Sequence, residues 1–423
     1  MNSFDQILFN QAVQKYEQGE FINSFNMLDN LCYKYLKITS LSETIIRLFF
    51  CYETACSAIH IVNKYEYKLH EYVPVLGNFF PEEKSLHNAK KLYAFVLLRN
   101  KRYKECFDYM KYIQPVYVGD PIQKKVNKIH PDNIGYFQEC DENKTLLVYI
   151  SGGLGDKIMY LRFLRKTCEV NHKNRIILLL DDNLYWIFQH IYKDIVNLQI
   201  ISFSARHFLP PYDYHTNITM LMHYLGVEYE TLPEYMDYFL SKIPENAVSF
   251  KKVNNVILQT RMNIVINWHG NRVNINEKYN RGIDLLELVP LFEGVAGINW
   301  ISVQKEVTPE EHAILEKYNI KDLSGWIDND GDAYKDTICL LNSVDLVIST
   351  DTSLVHVAGT MGNVRCWVLL TAGCDWRWTH DDASLWYPKL KLLRQKRIGE
   401  WKPVVKKLVK ALGIIVSNKN IPK

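Results

Sequence analysis

The stretch from Asp345 to Asp375 decides the fold, and it reads D-L-V-I-S-T-D-T-S-L-V-H-V-A-G-T-M-G-N-V-R-C-W-V-L-L-T-A-G-C-D. A short apolar, β-branched run from Asp345 to Thr350 predicts a strand, and a second apolar run over 364–370 predicts another. Between them, small and apolar residues that follow a cluster of N-cap residue types predict a helix. The order strand, turn, helix, strand indicates an open parallel sheet.

The N-cap cluster is Asp351, Thr352 and Ser353, and it lies where the predicted strand opens into the helix. Free backbone N–H groups at such a helix start suit phosphate. The alternative is that these residues only cap the helix, which any strand–helix–strand unit allows. His356 falls on the first turn of the same helix and favours the interpretation as an anion-binding edge.

Length and composition limit the classes to which the protein can belong. A chain of 423 residues predicts two or three domains, and 48% apolar with 23% charged residues predicts a full hydrophobic core. Its 50 basic and 47 acidic side chains leave a net charge of +3, which predicts no nucleic-acid partner. Nine scattered cysteines without a C-x-x-C pair predict a reduced, cytoplasmic chain without a structural zinc site.

The sequence predicts neither a secretion signal nor a membrane-spanning helix, because no apolar run approaches the ~20 residues that a span needs. The lysine-rich segment that begins at Lys402 predicts a solvated helix face. Peripheral contact with the inner face of a membrane is the alternative for this segment.

The amino-terminal part, residues 1–115, is predicted to be helical from its apolar spacing and its scarcity of glycine. Segments 12–21 and 94–103 look alike, and each continues into a second amphipathic helix. The pattern resembles tetratricopeptide repeats, and a generic helical bundle is the alternative. This region is expected to recruit a partner or to mediate self-association. A linker over 116–143, a first α/β domain over 144–250 and a second over 251–423 follow.

A second strand, turn and helix begins at Thr145. The strand runs to Ile150 and is followed by the turn S-G-G-L-G-D, in which Gly153 and Gly155 allow the backbone to approach a ligand or line a cleft. The spacing differs from dinucleotide and P-loop motifs, so neither NAD binding nor ATP hydrolysis is predicted. The turn instead carries a carboxylate, Asp156, at its mouth.

Further alternation of strands and helices predicts two α/β sheets that face each other across a cleft. The polar, histidine-bearing stretch 204–219 is predicted to lie on the ligand-facing side. The predicted strands lie at 175–180, 198–202, 263–267 and 299–303, and the predicted helices lie at 185–191 and 285–291.

The acidic run from Asp328 to Asp332 suggests calcium at first sight. Its glycine stands at the fourth position rather than the sixth, and the twelfth position is Cys339, which offers no carboxylate. The run therefore predicts a loop that ends in a helix N-cap at Asp332 rather than a metal site.

Together these pieces resemble the family 9 glycosyltransferases, the heptosyltransferase-like branch of the fold with two Rossmann-like domains. The resemblance starts near Leu146 and continues to the end of the sequence. Its motifs are G-G-L-G-D at 152–156, W-H-G-N at 268–271, S-V-Q-K-E at 302–306, D-T-S-L-V-H-V-A-G-T-M-G at 351–362, and D-W-R-W, W-Y-P and L-L-R-Q within 375–395. The last group is similar to a subfamily in which the catalytic unit follows tetratricopeptide-like helices. The resemblance implies a GT-B type α/β fold preceded by an all-α region.

The resemblance also implies roles for single residues. Asp156 would be the general base near the acceptor. The donor's diphosphate and sugar would be held by Asp351, Thr352, Ser353 and His356.

Three further positions complete the site that the resemblance implies. Gln304 or Glu306 would lie near the donor's nucleoside. A basic residue near the donor phosphates would be Arg281, with Arg272 as the second candidate. Asp375 could touch donor or acceptor.

The chemistry fits these residue types. A carboxylate at a helix N-terminus is ionised and can accept the proton of an attacking hydroxyl, while backbone N–H groups and an arginine can stabilise a leaving nucleoside diphosphate. No D-x-D pair at a strand end offers a metal clamp, so the sequence predicts inverting, metal-independent sugar transfer without a cofactor.

The co-substrate would be a nucleotide sugar, for which an ADP-linked, heptose-like sugar is one candidate. The acceptor would be a saccharide, a lipid-linked molecule or a protein. The alternative is a non-catalytic helical-repeat binding protein with a degenerate glycosyltransferase unit.

Overall fold

The protein is seen here in a computed structural model. It describes residues 3–17, 27, 94, 97–110, 137, 141–150, 152–243, 253–273, 277, 281–372, 374–379, 381–396 and 399–418. The structural statements below concern these residues.

The first α/β unit is a four-stranded parallel sheet with the strand order β3-β2-β1-β4. The central strands β1 and β2 are buried over nearly their whole length, as their continuous apolar runs predict for strands covered on both faces. The strands are β1 (Thr145–Tyr149), β2 (Arg175–Leu180), β3 (Leu198–Ser202) and β4 (Tyr214–Asn217).

The second α/β unit is a six-stranded parallel sheet with the order β10-β9-β8-β5-β6-β7. Strand β8 comes from the stretch quoted at the outset and lies between β5 and β9. The strands are β5 (Met262–Asn267), β6 (Ile298–Ser302), β7 (Lys321–Asp322), β8 (Leu346–Thr350), β9 (Cys366–Leu370) and β10 (Lys391–Arg394).

Helices connect the strands and cover the sheets. Those that the structure describes are α1 (Ser3–Glu17), α2 (Tyr103–Met110), α3 (Leu154–Val170), α4 (Asp182–Ile191), α5 (Leu221–Tyr224), α6 (Leu285–Gly294), α7 (Pro309–Lys317), α8 (Lys335–Leu341), α9 (Ser353–Met361) and α10 (Lys402–Asn418). The largest apolar cluster contains residues of β1, α3, β8 and α9, so the two units share one core. A second cluster, between the outer face of the second sheet and helices α6 and α10, completes that unit.

The sequence predicted most of these elements. The predicted bounds of β2 and β3 are those observed, and the strand–helix–strand order over 345–370 is confirmed. Within the polar stretch 204–219 the sequence predicted no strand, but β4 lies there and pairs with β1. His215 and Thr216 are buried in that pairing, which their polar side chains gave no reason to expect.

The end of the helical region, from Ala94 to Phe107, packs with its described apolar residues into the core of the α/β units. Residues 97–99 are helical, a turn follows at 100–101, and α2 completes the helix–turn–helix that segment 94–103 predicted. Tyr103, Cys106 and Phe107 are buried in the same cluster as α3 and α9. The partner segment 12–21 is described only as far as Glu17, and nearly all of the linker 116–143 lies outside the described residues. The likeness to tetratricopeptide repeats stays a prediction.

Among the described helices, none has the length and apolarity that crossing a bilayer requires.

Candidate functional site

The turn between β1 and α3 places a carboxylate at the carboxyl edge of the first sheet. Gly152 has a φ of +96°, a conformation that favours glycine, and it turns the chain towards the helix. Exposed Gly153 is the N-cap of α3, and its backbone N–H donates to Oδ2 of Asp156 at 3.1 Å. The Asp156 side chain is 35% exposed, so it is held in place and still reaches solvent.

The corresponding turn of the second unit, between β8 and α9, shows whether its N-cap residue caps the helix. Thr352 stands at the N-cap position, but its hydroxyl donates to Oδ1 of Asn267 at 3.0 Å and lies 3.1 Å from Oγ of Ser349. The Thr352 side chain makes no capping hydrogen bond to the first turn of α9. The side chain at the N-cap position is thus engaged with residues of β5 and β8, and the capping interpretation does not account for Thr352.

Helices α3 and α9 pack against each other with their amino ends together. Gly155 faces the ring of His356 so closely that a Cβ there would lie 2.6 Å from its Cδ2 and 3.4 Å from Cα of Ser353. A side chain larger than hydrogen would push the two helices apart. Two positive helix ends at one place favour a bound anion.

Arg377 links the two units at this place. Its guanidinium forms an ion pair with Oδ1 of Asp156, and its Nη1 lies 3.1 Å from Oδ1 of Asp375. Only 10% of the Arg377 side chain is exposed. Burial disfavours its charge, but Asp375, Asp156 and Asp351 outweigh burial and raise the pKa of Arg377. The guanidinium is thus a fixed positive charge between the sheets.

Asp351 is buried beside this ion pair. Burial and, after it, the charge of Asp375 raise the pKa of Asp351 to about 6, against the opposing effect of Arg377 and Arg281. The carboxyl can therefore change protonation state close to neutral pH. In its protonated form it can donate a hydrogen bond to a phosphate oxygen instead of repelling it.

His356 is a neutral imidazole at this site. Burial, followed by the charge of Arg377 and two further arginines, lowers its pKa well below the ordinary value. Its Nδ1 lies 2.9 Å from the hydroxyl of Tyr387, and its ring stacks on Trp378 at a centroid distance of 5.9 Å. A neutral, fixed ring can offer one N–H to a ligand without adding charge.

The two arginines considered for the donor phosphates lie in different places. Arg281 pairs with Glu277, with Nε 2.6 Å from Oε1, and its charge acts on both Asp351 and His356. Arg272 is directed away and forms two 2.8 Å hydrogen bonds with Glu311 at the start of α7. The charge of Arg281, the first candidate, thus acts on two residues of the site, whereas Arg272 is held by Glu311.

Gln304 is buried inside the loop that follows β5. Its Oε1 accepts from Nδ2 of Asn267 at 2.9 Å and from the backbone N–H groups of Trp268 and His269 at 3.2 Å each. The side chain therefore orders this loop. Glu306 is exposed, and its Oε2 accepts from the backbone N–H of Arg272 at 3.3 Å. Of the two residues expected near a nucleoside, Glu306 is the accessible one.

The acidic loop before α8 is a capping structure, although not the one predicted. The helix begins at Lys335, and Asp328 accepts from the backbone N–H of Asp336 at 2.7 Å and of Thr337 at 3.1 Å. Asp332 instead pairs with Lys335 at 2.8 Å. The predicted N-cap at Asp332 is wrong because the chain folds back and Asp328 reaches the helix first. No group of three His, Cys, Asp or Glu residues suited to a metal ion occurs in the described part of the chain.

Sequence reasoning missed three residues that organise the site, namely Asn267, Arg377 and Tyr387. Arg377 lies within the quoted D-W-R-W motif, where an arginine between two tryptophans is a signal of a buried cation. Asn267 ends a predicted strand next to β8, which is a signal of a polar contact at the sheet edge. Tyr387 lies in the quoted W-Y-P motif, but no local pattern pairs it with His356, which is 31 positions away in the sequence.

Several solved structures are similar in fold. The E. coli ADP-heptose LPS heptosyltransferase II is 11% identical, with 65% of this chain and 99% of that chain covered and a TM-score of 0.40. A family 9 glycosyl transferase from Veillonella parvula is 12% identical, with 66% and 98% covered and a TM-score of 0.38. The E. coli heptosyltransferase WaaC, solved with ADP, is 10% identical, with 63% and 99% covered and a TM-score of 0.37. No family model matches the sequence, and no curated protein matches it. The likeness concerns the fold alone.

Proposed function

We propose that this protein is a glycosyltransferase that moves a sugar from a nucleoside-diphosphate sugar to an acceptor hydroxyl, with inversion and without a metal ion. The observation that carries the proposal is the meeting of two helix N-termini around the ion pair between Arg377 and Asp156. One unit supplies a partly exposed carboxylate, and the other supplies fixed positive charge. Acid–base chemistry and anion binding are thus combined at one place.

The acceptor would approach from the side of the first sheet. Asp156 lies in the first turn of α3 and its side chain is partly exposed, so an acceptor hydroxyl can reach it as a general base. As the acceptor oxygen attacks the anomeric carbon, its proton passes to Asp156. The bond from that carbon to the diphosphate oxygen breaks on the opposite face, so the configuration inverts.

The donor diphosphate would lie at the start of α9. Arg377 and Arg281 supply positive charge, the helix end supplies a dipole, and Ser353 and neutral His356 supply hydrogen-bond donors. Such fixed groups stabilise the negative charge that develops on the leaving diphosphate. A nucleoside on the same side would lie near Glu306.

The second candidate is a binding protein with an inactive transferase unit. The observation that favours it is that both oxygens of Asp156 already accept hydrogen bonds, one from Gly153 and one from Arg377. Each carboxylate oxygen has a second lone pair, so these bonds do not prevent proton transfer.

A thermal-shift panel of ADP, GDP, UDP and CDP, each with EDTA, tests whether the protein binds a nucleoside diphosphate, which both candidate functions require. A ligand at 100 times its Kd stabilises the folded state by about 2.7 kcal/mol, which is readily measured. One diphosphate should raise Tm in EDTA, and Ser353→Ala should reduce that shift. Nucleotide-sugar turnover then separates the two candidates, with an ADP-linked heptose as one donor to include. No shift with any of the four would contradict the proposal.

A further inference from the structure

The helix–turn–helix 97–110 contacts both ends of the loop that carries Arg377. We call it the D-W-R-W loop and define it as residues 374–379 and 381–386. Arg99, with 2% of its surface exposed, donates from Nη2 to the backbone oxygen of Cys374 at the start of the loop. At its other end, Nε1 of Trp386 donates to the hydroxyl of Tyr103 at 2.8 Å. Two buried contacts from one short segment thus fix both ends of the loop.

Aromatic packing fills the space between those two contacts. The ring of Tyr103 is fully buried and meets Trp376 edge to face at a centroid distance of 6.2 Å. Trp376 directly precedes Arg377 in the chain. From the opposite side, Nη1 of Arg162 on α3 donates to the backbone oxygen of Trp386 at 2.7 Å. The D-W-R-W loop therefore lies between the helical segment and the first α/β unit.

The contacts differ in how strongly they hold the loop. The bond from Arg99 has a charged donor and is buried, and the bond to Tyr103 satisfies an indole N–H that would otherwise be buried without a partner; losing either is costly. Lys101 also pairs with Asp381 at 2.8 Å, but both side chains are more than a third exposed, so that pair contributes little. Arg99 and Tyr103 are therefore the residues of the helical segment that hold the D-W-R-W loop most strongly.

We propose that Arg99 and Tyr103 are positioning residues, which hold the D-W-R-W loop so that Arg377 meets Asp156. The helical segment then completes the site rather than acting only as an adaptor. The catalytic consequence rests on the proposed function, whereas the positioning of the loop does not.

Hydrogen exchange of the full-length protein tests the positioning directly. Tyr103→Phe keeps the ring and removes the hydroxyl that accepts from Trp386. Backbone N–H groups of 374–386 should exchange up to about tenfold faster in this variant, because a buried hydrogen bond is lost. The matched control is Tyr192→Phe, which removes a buried hydroxyl bonded at 3.0 Å to the backbone oxygen of Leu161 rather than to a residue of the loop. It should leave exchange in 374–386 unchanged.

A second pair of variants distinguishes the hydrogen bond that Arg99 donates from the packing of its side chain. Arg99→Met should accelerate exchange at the start of the loop, and Arg99→Lys, which keeps a cationic donor, should restore much of the protection. Equal loop exchange in the wild type, Tyr103→Phe and Arg99→Met would overturn the proposal. So would equal acceleration throughout the protein in Tyr103→Phe and Tyr192→Phe.

Binding of ADP, or of whichever diphosphate the panel selects, tests the link to Arg377. Tyr103→Phe should raise its Kd several-fold in the wild-type background and hardly at all in an Arg377→Lys background, since coupled residues are not additive. Equal effects in both backgrounds would show that Tyr103 does not act through Arg377. If no diphosphate binds the wild type, the proposed function fails, and the exchange experiment still decides the positioning.

Discussion

Arg377 and Asp156 form an ion pair that joins the carboxyl edges of the two parallel sheets. The guanidinium is nearly buried and is surrounded by three carboxyl groups, those of Asp156, Asp351 and Asp375. A buried cation is stable only with such partners, and the carboxylates in turn depend on it. The ion pair on which the proposed chemistry depends should therefore also stabilise the contact between the two units.

Removal of the Arg377 charge should destabilise the protein strongly. Arg377→Met leaves the neighbouring carboxylates without their cation, which we expect to lower the free energy of unfolding by roughly 3 kcal/mol. Urea unfolding at pH 7 measures the change. The control is Arg272→Met, which breaks an ion pair whose arginine is 46% exposed and should cost less than about 1 kcal/mol. Equal losses in the two variants would contradict a buried bridge.

Gly155→Ala should separate the two helix ends. The new Cβ would lie 2.6 Å from Cδ2 of His356, so the interface must shift, and we expect a loss of about 1–3 kcal/mol together with weaker diphosphate binding. Gly413→Ala in α10 is the matched control, because its added Cβ would meet nothing within 4 Å apart from its chain neighbours and the backbone of its own helix. It should be neutral or stabilising by up to about 1 kcal/mol. Thermal unfolding of both variants checks the contrast.

Asp351 predicts a pH-dependent stability. Its pKa is about 6 in the folded protein against an ordinary 3.8, so the folded state holds the proton more tightly than the unfolded chain. Between about pH 4 and pH 6 the unfolded chain therefore loses this proton first, and the free energy of unfolding falls as the pH rises. The contribution over this range is roughly 3 kcal/mol. The difference in unfolding free energy between the wild type and Asp351→Asn, measured from pH 4 to pH 7, isolates it.

The comparison with Asp351→Asn is needed because His356 changes the free energy of unfolding with pH in the opposite direction. Its pKa is lowered, so the unfolded chain binds this proton more tightly, and stability falls as the pH drops below about 6.5. His356 is common to both proteins, so its contribution largely cancels. A wild-type curve parallel to that of Asp351→Asn would show that Asp351 has an ordinary pKa.

The local elements could be predicted from the sequence, and the contacts between them could not. Strand β8 and helix α9 follow from a buried apolar run and a change to helical spacing, which are local properties. Strand β4 was missed because its polar residues become buried only by pairing with β1.

Within the site, the sequence identified the two turns but not what joins them. Asp156 and Asp351 stood out because each follows a strand and opens a helix. Arg377 reaches Asp156 across 221 positions of sequence, and nothing in local spacing encodes that distance. Gln304 was expected at a ligand, but three hydrogen bonds to its Oε1 turn it inward. The burial of Tyr103 likewise depends on a loop far along the chain.

Asp156→Asn should separate binding from chemistry. The amide keeps the shape of the side chain but cannot accept the acceptor's proton, so turnover should fall by roughly 10²-fold or more while diphosphate affinity stays nearly unchanged. Single-turnover kinetics and calorimetric titration measure the two quantities. Equal losses of affinity and rate would assign Asp156 to the donor instead.

Release of nucleoside diphosphate from nucleotide sugars in the presence of EDTA tests the central claim most directly. Arg377, Arg281 and the start of α9 supply the positive charge in this account, so release should proceed at the same rate with EDTA as with magnesium. His356→Ala should slow release at sub-saturating donor, because its loss weakens donor binding by ~1–3 kcal/mol. A complete loss of release in EDTA that magnesium or manganese restores would contradict the account.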